Sequence, residues 1–399
     1  MTAPVRVAIL DHTGELGGAE LALVRLCAAL DPDRVQVMAV LFAPGPLVAR
    51  LEASGVRVRV LPLDHRIART DRHAAGSSPL RAVLSALAVL PFVFRLARLL
   101  LRIDPDVVHS TSMKADLLAV PACALARRPL VWHVHDLVTD TYMPAMLARL
   151  VRAVARRGPA HVVVNSGATA RSLLPLPRGW TLAYPGLSGD QIRPDGPART
   201  VPTPPVVGLV GRVSPTKGQR EFIEAAALVR ESCPQMRFRV VGAALFAEAG
   251  YEQGLRELAD RLGVGDRLEL TGWEAAPVAQ MDRLTVLVHA SPVPEPFGQV
   301  IVEAMARGVP VVATRGGGVT EIVEPPGGEP LGVLVAPGDP ADLARGILEV
   351  LAEPAAAARR ARRAYAEVVR RFPISRTAEA VTRVWENVAG SGRGPRRRG

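Results

Sequence analysis

The feature that most restricts what this chain can fold into is an alternation that occurs twice. Short apolar runs lead into loops and then into stretches of helical periodicity. In the first series the runs are Val5–Leu10, Gln36–Phe42, Val56–Leu61, Val107–His109, Val131–His135 and Val162–Asn165. A polar, glycine-bearing loop (Asp11–Gly18) and a helical pattern (Ala19–Leu30) follow the first of them. Runs of this length bounded by turn residues fit strands buried on both faces, and helices between successive strands imply a parallel sheet. Six prolines between Pro185 and Pro205, without periodicity, then predict a linker at 188–205.

The second series has strands at Val206–Val210, Phe238–Val241, Leu268–Leu270, Val286–His289 and Val309–Ala313, with helices at Arg220–Arg230, Tyr251–Leu262 and Gln299–Arg307. Long helical stretches at Pro340–Val369 and Ser375–Val388 close it. The expectation is an α/β protein of two parallel-sheet domains, 1–187 and 206–372, with a last helix at 373–390 and a disordered basic tail at 391–399. Their strand carboxyl ends are expected to face each other across a cleft, where open α/β sheets bind ligands.

Composition narrows the class. Of the 399 residues 49% are hydrophobic and 22% charged, enough apolar material for two cores, which excludes a disordered, fibrous or disulfide-stapled chain. The net charge of +11 would ordinarily suggest nucleic acid. Here 47 of the 49 cations are arginine and four of them (Arg393, Arg396, Arg397, Arg398) crowd the tail, while aromatics are 4%, too few for a base-stacking platform, so no nucleic-acid partner is expected. Cys27, Cys123 and Cys233 lie far apart in apolar stretches and predict free thiols in a reducing cytoplasm; no export signal is expected from MTAPVRVAIL. The uncharged stretch Ala82–Phe94 is 13 residues long, short of the about 17 that a bilayer crossing needs. It reads as a core-facing helix, or, with Arg81, Arg95, Arg98 and Arg102 around it, as an interfacial patch at the inner membrane face.

Chemistry-bearing residues gather in a few loops. After strand Val206–Val210 come Gly211, Arg212 and Lys217, ahead of a helix. A helix N-terminus offers unpaired N–H groups and positive partial charge, and two cations beside it suit a diphosphate. Lys114 and Lys217 are the chain's two lysines, which makes Lys217 conspicuous. Walker A spacing is absent. In SPVPEPFGQVIVEAMARGVPVVAT, Glu295 precedes a helix and Glu303 lies eight residues on, within it. Carboxylates on either side of the Phe297, Gly298 and Gln299 amides would serve the hydroxyls and the diphosphate of a sugar nucleotide. Gly316–Gly318 would let a ligand approach the backbone, or form a flexible turn. In the first half Gly17 and Gly18 occupy a similar strand–loop–helix junction. His133 and His135 share one face by period two, and Asp136 follows. With His109 they invite a zinc reading, but a core histidine at His109, and a substrate-orienting one at His135, fit better, since HExxH and CxxC spacings are absent. Asp31–Asp33 and Asp104–Asp106 read as turn chemistry.

These segments resemble a known family. GRVSPTKG, EPFGQVIVEAMARGVPVVAT, GGGVTEIV and GVLVAPGDPADLARGI look like the C-terminal domain of family 4 retaining glycosyltransferases (GT4). GGAE, DVVHSTS, VWHVHD and VVVNS are similar to its N-terminal domain. The resemblance implies the GT-B fold: two Rossmann-like domains, the C-terminal one for the donor nucleotide sugar and the N-terminal one for the acceptor, with the last helix crossing back. By matching position, Arg212 and Lys217 would hold the diphosphate, Glu303 the ribose, and Glu295 the donor sugar. Gly17 and Gly18 would approach phosphates or acceptor, His135 would lie beside the reacting sugar, and Trp273, Glu274 and Ala275 would meet the nucleobase. YPGLSGD departs from the family's usual Asn-Gly-Val-Asp, ahead of the linker.

The activity so implied is transfer of a sugar from a nucleoside-diphosphate sugar to a hydroxyl acceptor (a glycan, glycolipid or small natural product) with retention and with no metal or other cofactor. An epimerase of sugar nucleotides on the same frame is the alternative, and a non-catalytic sensor of nucleotide sugars another. The site residues so assigned are His135, Arg212, Lys217 and Glu295 for catalysis, with Gly17, Gly18, Trp273, Glu274, Phe297, Gly298, Gln299 and Glu303 for the donor.

Overall fold

The computed structural model describes residues 3–64, 79–176, 179–244, 249–274 and 276–392. Two units emerge: Met1–Gly186 together with the chain from Ile374 on, and Leu187–Pro373.

The first unit holds seven strands: β1 (Val5–Asp11), β2 (Val35–Leu41), β3 (Arg57–Val60), β4 (Val107–Ser110), β5 (Leu130–Val134), β6 (His161–Val164) and β7 (Trp180–Leu182). Their order is β3-β2-β1-β4-β5-β6-β7, and all pairs are parallel. Alternation along each strand decides which layer it meets. Ala8, Leu10, Val108 and Trp132 belong to a core with the helices Pro79–Ile103, Met113–Ala126 and Ala145–Ala155. Val7, Ile9, Val107 and Val131 pack with Gly18–Ala28, Pro46–Ala53 and the last helix, Ile374–Gly392. Trp385 of that helix is fully buried, and its indole N–H donates to His109 Nδ1 at 3.2 Å.

The second unit holds β8 (Val206–Val210), β9 (Arg237–Val241), β10 (Leu268–Leu270), β11 (Val286–His289), β12 (Val311–Thr314) and β13 (Val333–Val335) in the order β10-β9-β8-β11-β12-β13, again parallel throughout. Val207, Leu209, Phe238, Val240 and Val288 share a core with the helices Gln219–Ser232, Ala249–Arg261 and Pro340–Ala352. The helix Gln299–Ala306 contacts β11 and β12 and buries Ile301, Val302 and Met305. Each of these fully buried side chains contributes about 1.5–3 kcal/mol relative to exposure. In both sheets the strand order reverses beside the first strand, between β1 and β4 and between β8 and β11. The loops at those strand ends are therefore the places where such sheets bind ligands.

Departures from the sequence reading have local causes. The helical stretch Pro340–Val369 is two helices, Pro340–Ala352 and Pro354–Arg371, because Pro354 has no N–H to continue the first and is suited to begin the second. Strands β7 and β13, of three residues each, and the short helices Pro277–Met281 and Gly318–Val323 are too brief to register as a period. The proline-rich segment expected as a linker folds onto the second unit. It forms a 3-10 turn at Gly189–Gln191 capped by Ser188, its Arg193 N–H donates to Ala306 O at 3.0 Å, and Tyr365 Oη donates to Arg193 O at 3.0 Å. Cys27 and Cys123 are buried and Cys233 is half-buried, all as free thiols. Within the stretch read as core-facing, Phe92 and Val93 are buried, whereas Leu90 and Phe94 are exposed. The tail from residue 393 and Ala275 lie outside the described residues, as do the side chains of residues 79–87, Arg81 among them.

Candidate active site

In the second unit the loop after β8 turns at Gly211 and forms a 3-10 turn, Pro215–Lys217, before the helix Gln219–Ser232. Gly218 adopts φ 76°, and a Cβ there would lie 1.9 Å from Ala290 O, so only glycine lets this turn close on the loop after β11. Ser291 Oγ binds Thr216 O at 2.6 Å and reinforces the contact. The outcome is an ion pair between Lys217 Nζ and Glu295 Oε1. His289 Nε2, from the end of β11, lies 3.5 Å from Glu295 Oε2. Burial would push the Glu295 carboxyl up, yet Lys217 and His289 outweigh it and hold the group well below the usual carboxylate range. Arg212 is exposed, and its guanidinium makes no ion pair among the described residues; its carbonyl accepts from Gln219 Nε2 at 2.8 Å.

Gly316–Gly318 serve another backbone. Gly317 (φ 58°) forms a bridge with Glu295, Gly318 N–H donates to Glu295 O at 2.8 Å, and a Cβ on Gly317 would fall 1.9 Å from that same oxygen. The three glycines thus seat the Glu295 loop. The helix Gln299–Ala306 starts at Gly298, with φ 111°. The Phe297 side chain is buried against Phe372, ring centroids 5.6 Å apart, so only its main chain remains to meet a ligand. Glu303 is buried and its Oε1 accepts from Gln191 Nε2 at 2.8 Å. Trp273, 62% exposed, and Glu274 lie in the loop after β10, tied to the loop after β9 by Gly242 N–H on Gly272 O at 3.1 Å. They stand at the far edge of the sheet order from β11.

In the first unit Gly17 caps the helix Gly18–Ala28, and a Cβ on Gly17 would lie 2.5 Å from Glu20 Oε2. The Glu20 carboxyl folds back on this helix start; burial and then Asp11 push it up to about 7. The rings of His133 and His135 lie 4.2 Å apart, and His109 is 5.3 Å from His133. Burial pushes His135 down to about 4 and His109 down to about 3, and lowers His133 as well, so all three are neutral at pH 7. His109 is a core residue, its Nδ1 taken by Trp385. Asp31 accepts from Asp33 N–H at 2.9 Å, as turn chemistry expects, whereas Asp104 and Asp106 form long-range ion pairs with Arg6 of β1, which the turn reading did not foresee.

Sequence reasoning missed several polar groups at the same strand ends. Asp11 accepts from Thr111 Oγ1 at 2.7 Å, and Ser110 Oγ donates to Asp116 Oδ1 at 2.5 Å. Asp116 is buried and burial raises its carboxyl well above the usual range. Tyr142 Oη donates to Asp136 Oδ1 at 3.1 Å. In the second unit His289, Ser291, Thr314 and Gln191 were missed too. The available signal was position: a polar residue closing an apolar run stands at a strand's carboxyl end.

The sequence and the fold match proteins of one family. The profile for "Glycosyl transferases group 1" matches residues 195–367, and that for "Glycosyltransferase Family 4" matches residues 16–186. A 2-deoxystreptamine N-acetyl-D-glucosaminyltransferase of Streptomyces fradiae is 32% identical over 365 residues, 83% of this chain and 81% of the relative. A D-inositol 3-phosphate glycosyltransferase of Acidothermus cellulolyticus is 34% identical over 246 residues, 57% of this chain and 53% of that protein. Among solved structures, Anabaena HepE in complex with UDP and glucose superposes with a TM-score of 0.79 at 29% identity, covering 96% of this chain and 99% of the other. Both halves of the sequence and both sheets therefore lead to the same result: the chain has the GT-B fold and belongs to the group 1 glycosyltransferases of the family 4 type.

Proposed function

We propose that the enzyme transfers a sugar, with retention and without a metal, from a uridine-diphosphate sugar to a hydroxyl of a cyclitol or aminocyclitol ring. The observation that carries this reading is the Lys217–Glu295 pair on a glycine-seated loop, with Arg212 exposed at the end of the neighbouring strand. In transfer, the acceptor oxygen bonds to the anomeric carbon as that carbon's bond to the diphosphate breaks, and the acceptor proton passes to the leaving phosphate. Negative charge then grows on the diphosphate. Lys217 and Arg212, beside the start of the helix Gln219–Ser232, meet it with fixed positive charge. Glu295 would face the sugar, Glu303 the ribose, Gly298 and Gln299 the phosphates, and Trp273 with Glu274 the base. In the first unit Gly17, Gly18 and the neutral His135 would adjoin the reacting sugar, and Asp136 is an acceptor suited to the hydroxyl and ammonium groups of an aminocyclitol.

The uridine choice is supported by HepE, solved with UDP-glucose, and the ring acceptor by the relatives named for 2-deoxystreptamine and inositol 3-phosphate. Incubation of a panel of UDP and GDP sugars with 2-deoxystreptamine and with inositol 3-phosphate, in EDTA, tests it. The expected product carries the donor's anomeric configuration at an undiminished rate. An inverted linkage, or loss of activity restored by Mg²⁺, contradicts it.

A second reading, action at an anionic inner membrane face by a cytoplasmic enzyme, is favoured by exposed apolar side chains on two helices. On the helix Pro79–Ile103 Phe94 is 60% exposed, with Leu90, Leu101, Arg95 and Arg98 exposed too, and on Ala145–Ala155 Met146 is 80% exposed, with Arg149 and Leu150. The helices Pro79–Ile103 and Ala145–Ala155 contain no Asp or Glu. Among the described residues no helix is long and apolar enough to cross a membrane. Co-sedimentation with phosphatidylglycerol vesicles, but not phosphatidylcholine vesicles, and its loss in Phe94→Ser/Arg98→Glu, is the expected result; equal recovery with both vesicles contradicts it.

A further inference from the structure

Glu295 has two carboxylate oxygens, and two different nitrogen groups face them. Lys217 engages Oε1, while His289 Nε2 lies 3.5 Å from Oε2. Lys217 is about one-third exposed, whereas His289, Thr314 and Ser291 are buried. Thr314 Oγ1 lies 2.8 Å from Ser291 O and 3.2 Å from His289 Nδ1, so that ring nitrogen is held by the threonine. Nε2 is buried, has no hydrogen-bond partner among the described residues, and is the ring nitrogen that faces the Glu295 carboxylate. The charged groups that meet the ring are Glu295, from the loop after β11, and, across that carboxylate, Lys217. Thr314 comes from β12, and β8 presents only the apolar Val207, Gly208 and Leu209 along β11.

We propose that His289 is a positioning residue: it keeps Glu295 ionised and fixed in orientation when Lys217 leaves that carboxylate for the donor diphosphate. This rests on the reading that Glu295 faces the donor sugar and Lys217 the leaving phosphate. One lysine then serves two partners in turn, and the histidine, anchored through Thr314 to the main chain at Ser291, holds the site while it moves.

The test compares His289→Asn, whose amide reaches only the Nδ1 position, with His289→Gln, whose amide reaches towards Glu295, and with Glu295→Gln, using a UDP sugar and UDP as probes. For His289→Asn the expected kcat is about 30-fold lower, with the donor KM and the melting-temperature rise on UDP changed little. His289→Gln recovers most of the rate. Adding His289→Asn to Glu295→Gln has no further effect. In the unaltered enzyme, nitrogen-15 spectra of the histidines, with His289 assigned through its substitutions, should show its Nε2 protonated, a readout that survives even if a variant does not fold. A wild-type rate in His289→Asn, or a bare Nε2 in the spectrum, overturns the proposal. Should Glu295→Gln itself turn over at the wild-type rate, the underlying reading of Glu295 falls instead.

Discussion

At the scale of the residue, the second unit's site is built on exchangeable contacts. Glu303 is buried with Gln191 donating to it, so a ribose hydroxyl on Glu303 would meet a carboxylate already oriented. A hydrogen bond to a charged group contributes about 1.5–3 kcal/mol, or roughly 10- to 100-fold in affinity. Glu303→Ala is therefore expected to raise the donor KM by about that factor with kcat little altered, and steady-state kinetics on a UDP sugar checks it. A fall in kcat at constant KM would place Glu303 at the reacting centre instead. Lys217 was legible in the sequence because lysine is so rare in this chain. Glu295 was legible from its family context. Their ion pair was not, since two residues 78 positions apart meet only once Gly218 and Gly317 have closed the loops.

Elements explain which parts of the fold the sequence announced. Every strand of five or more residues has its expected counterpart, because a run of that length buried on two faces must be almost wholly apolar. The three-residue β7 and β13 escaped, whereas the equally short β10 was expected at Leu268–Leu270. The Gly316–Gly318 turn was readable as a place of close approach, but composition does not say what approaches. The structure supplies a neighbouring backbone in the Glu295 loop. Gly317→Ala follows from that contact. A side chain at φ 58° is strained by about 1–3 kcal/mol, and its Cβ would displace the Glu295 carbonyl. Turnover is expected to fall at least tenfold, with a lower melting temperature; a variant as active and stable as wild type would show that the loop has room to spare.

For the whole molecule, the chain's end is part of its beginning. The helix Ile374–Gly392 packs its fully buried Trp385 into the first unit's core and bonds it to His109. Truncation of so large a buried aromatic costs about 3–5 kcal/mol, so Trp385→Ala should lower the denaturation midpoint markedly, as followed by circular dichroism. Three histidines, His109, His133 and His135, stay neutral in this unit because burial depresses them. In the unfolded chain they take up protons near pH 6.5. At these three sites the unfolded state thus binds more protons, and their contribution to stability is lost as pH falls from about 6.5 towards 4, while Glu20 and Asp116, raised by burial, act in the opposite direction. His135→Gln should therefore lose less of its melting temperature than wild type between pH 7.5 and pH 5; an unchanged difference would refute the account.

The central claim is that a charge pair seated on glycine loops handles the departing diphosphate and the sugar. The most direct measurement is the rate of UDP release from a donor sugar, with acceptor and EDTA, by wild type, Lys217→Ala and Glu295→Gln. Loss of one preorganised charge aimed at charge that develops in the transition state, negative on the diphosphate for Lys217 and positive on the sugar for Glu295, costs about 10²–10³ in kcat. Both variants should be slower by about that factor while melting within a few degrees of wild type. Release at the wild-type rate by either folded variant would contradict the claim.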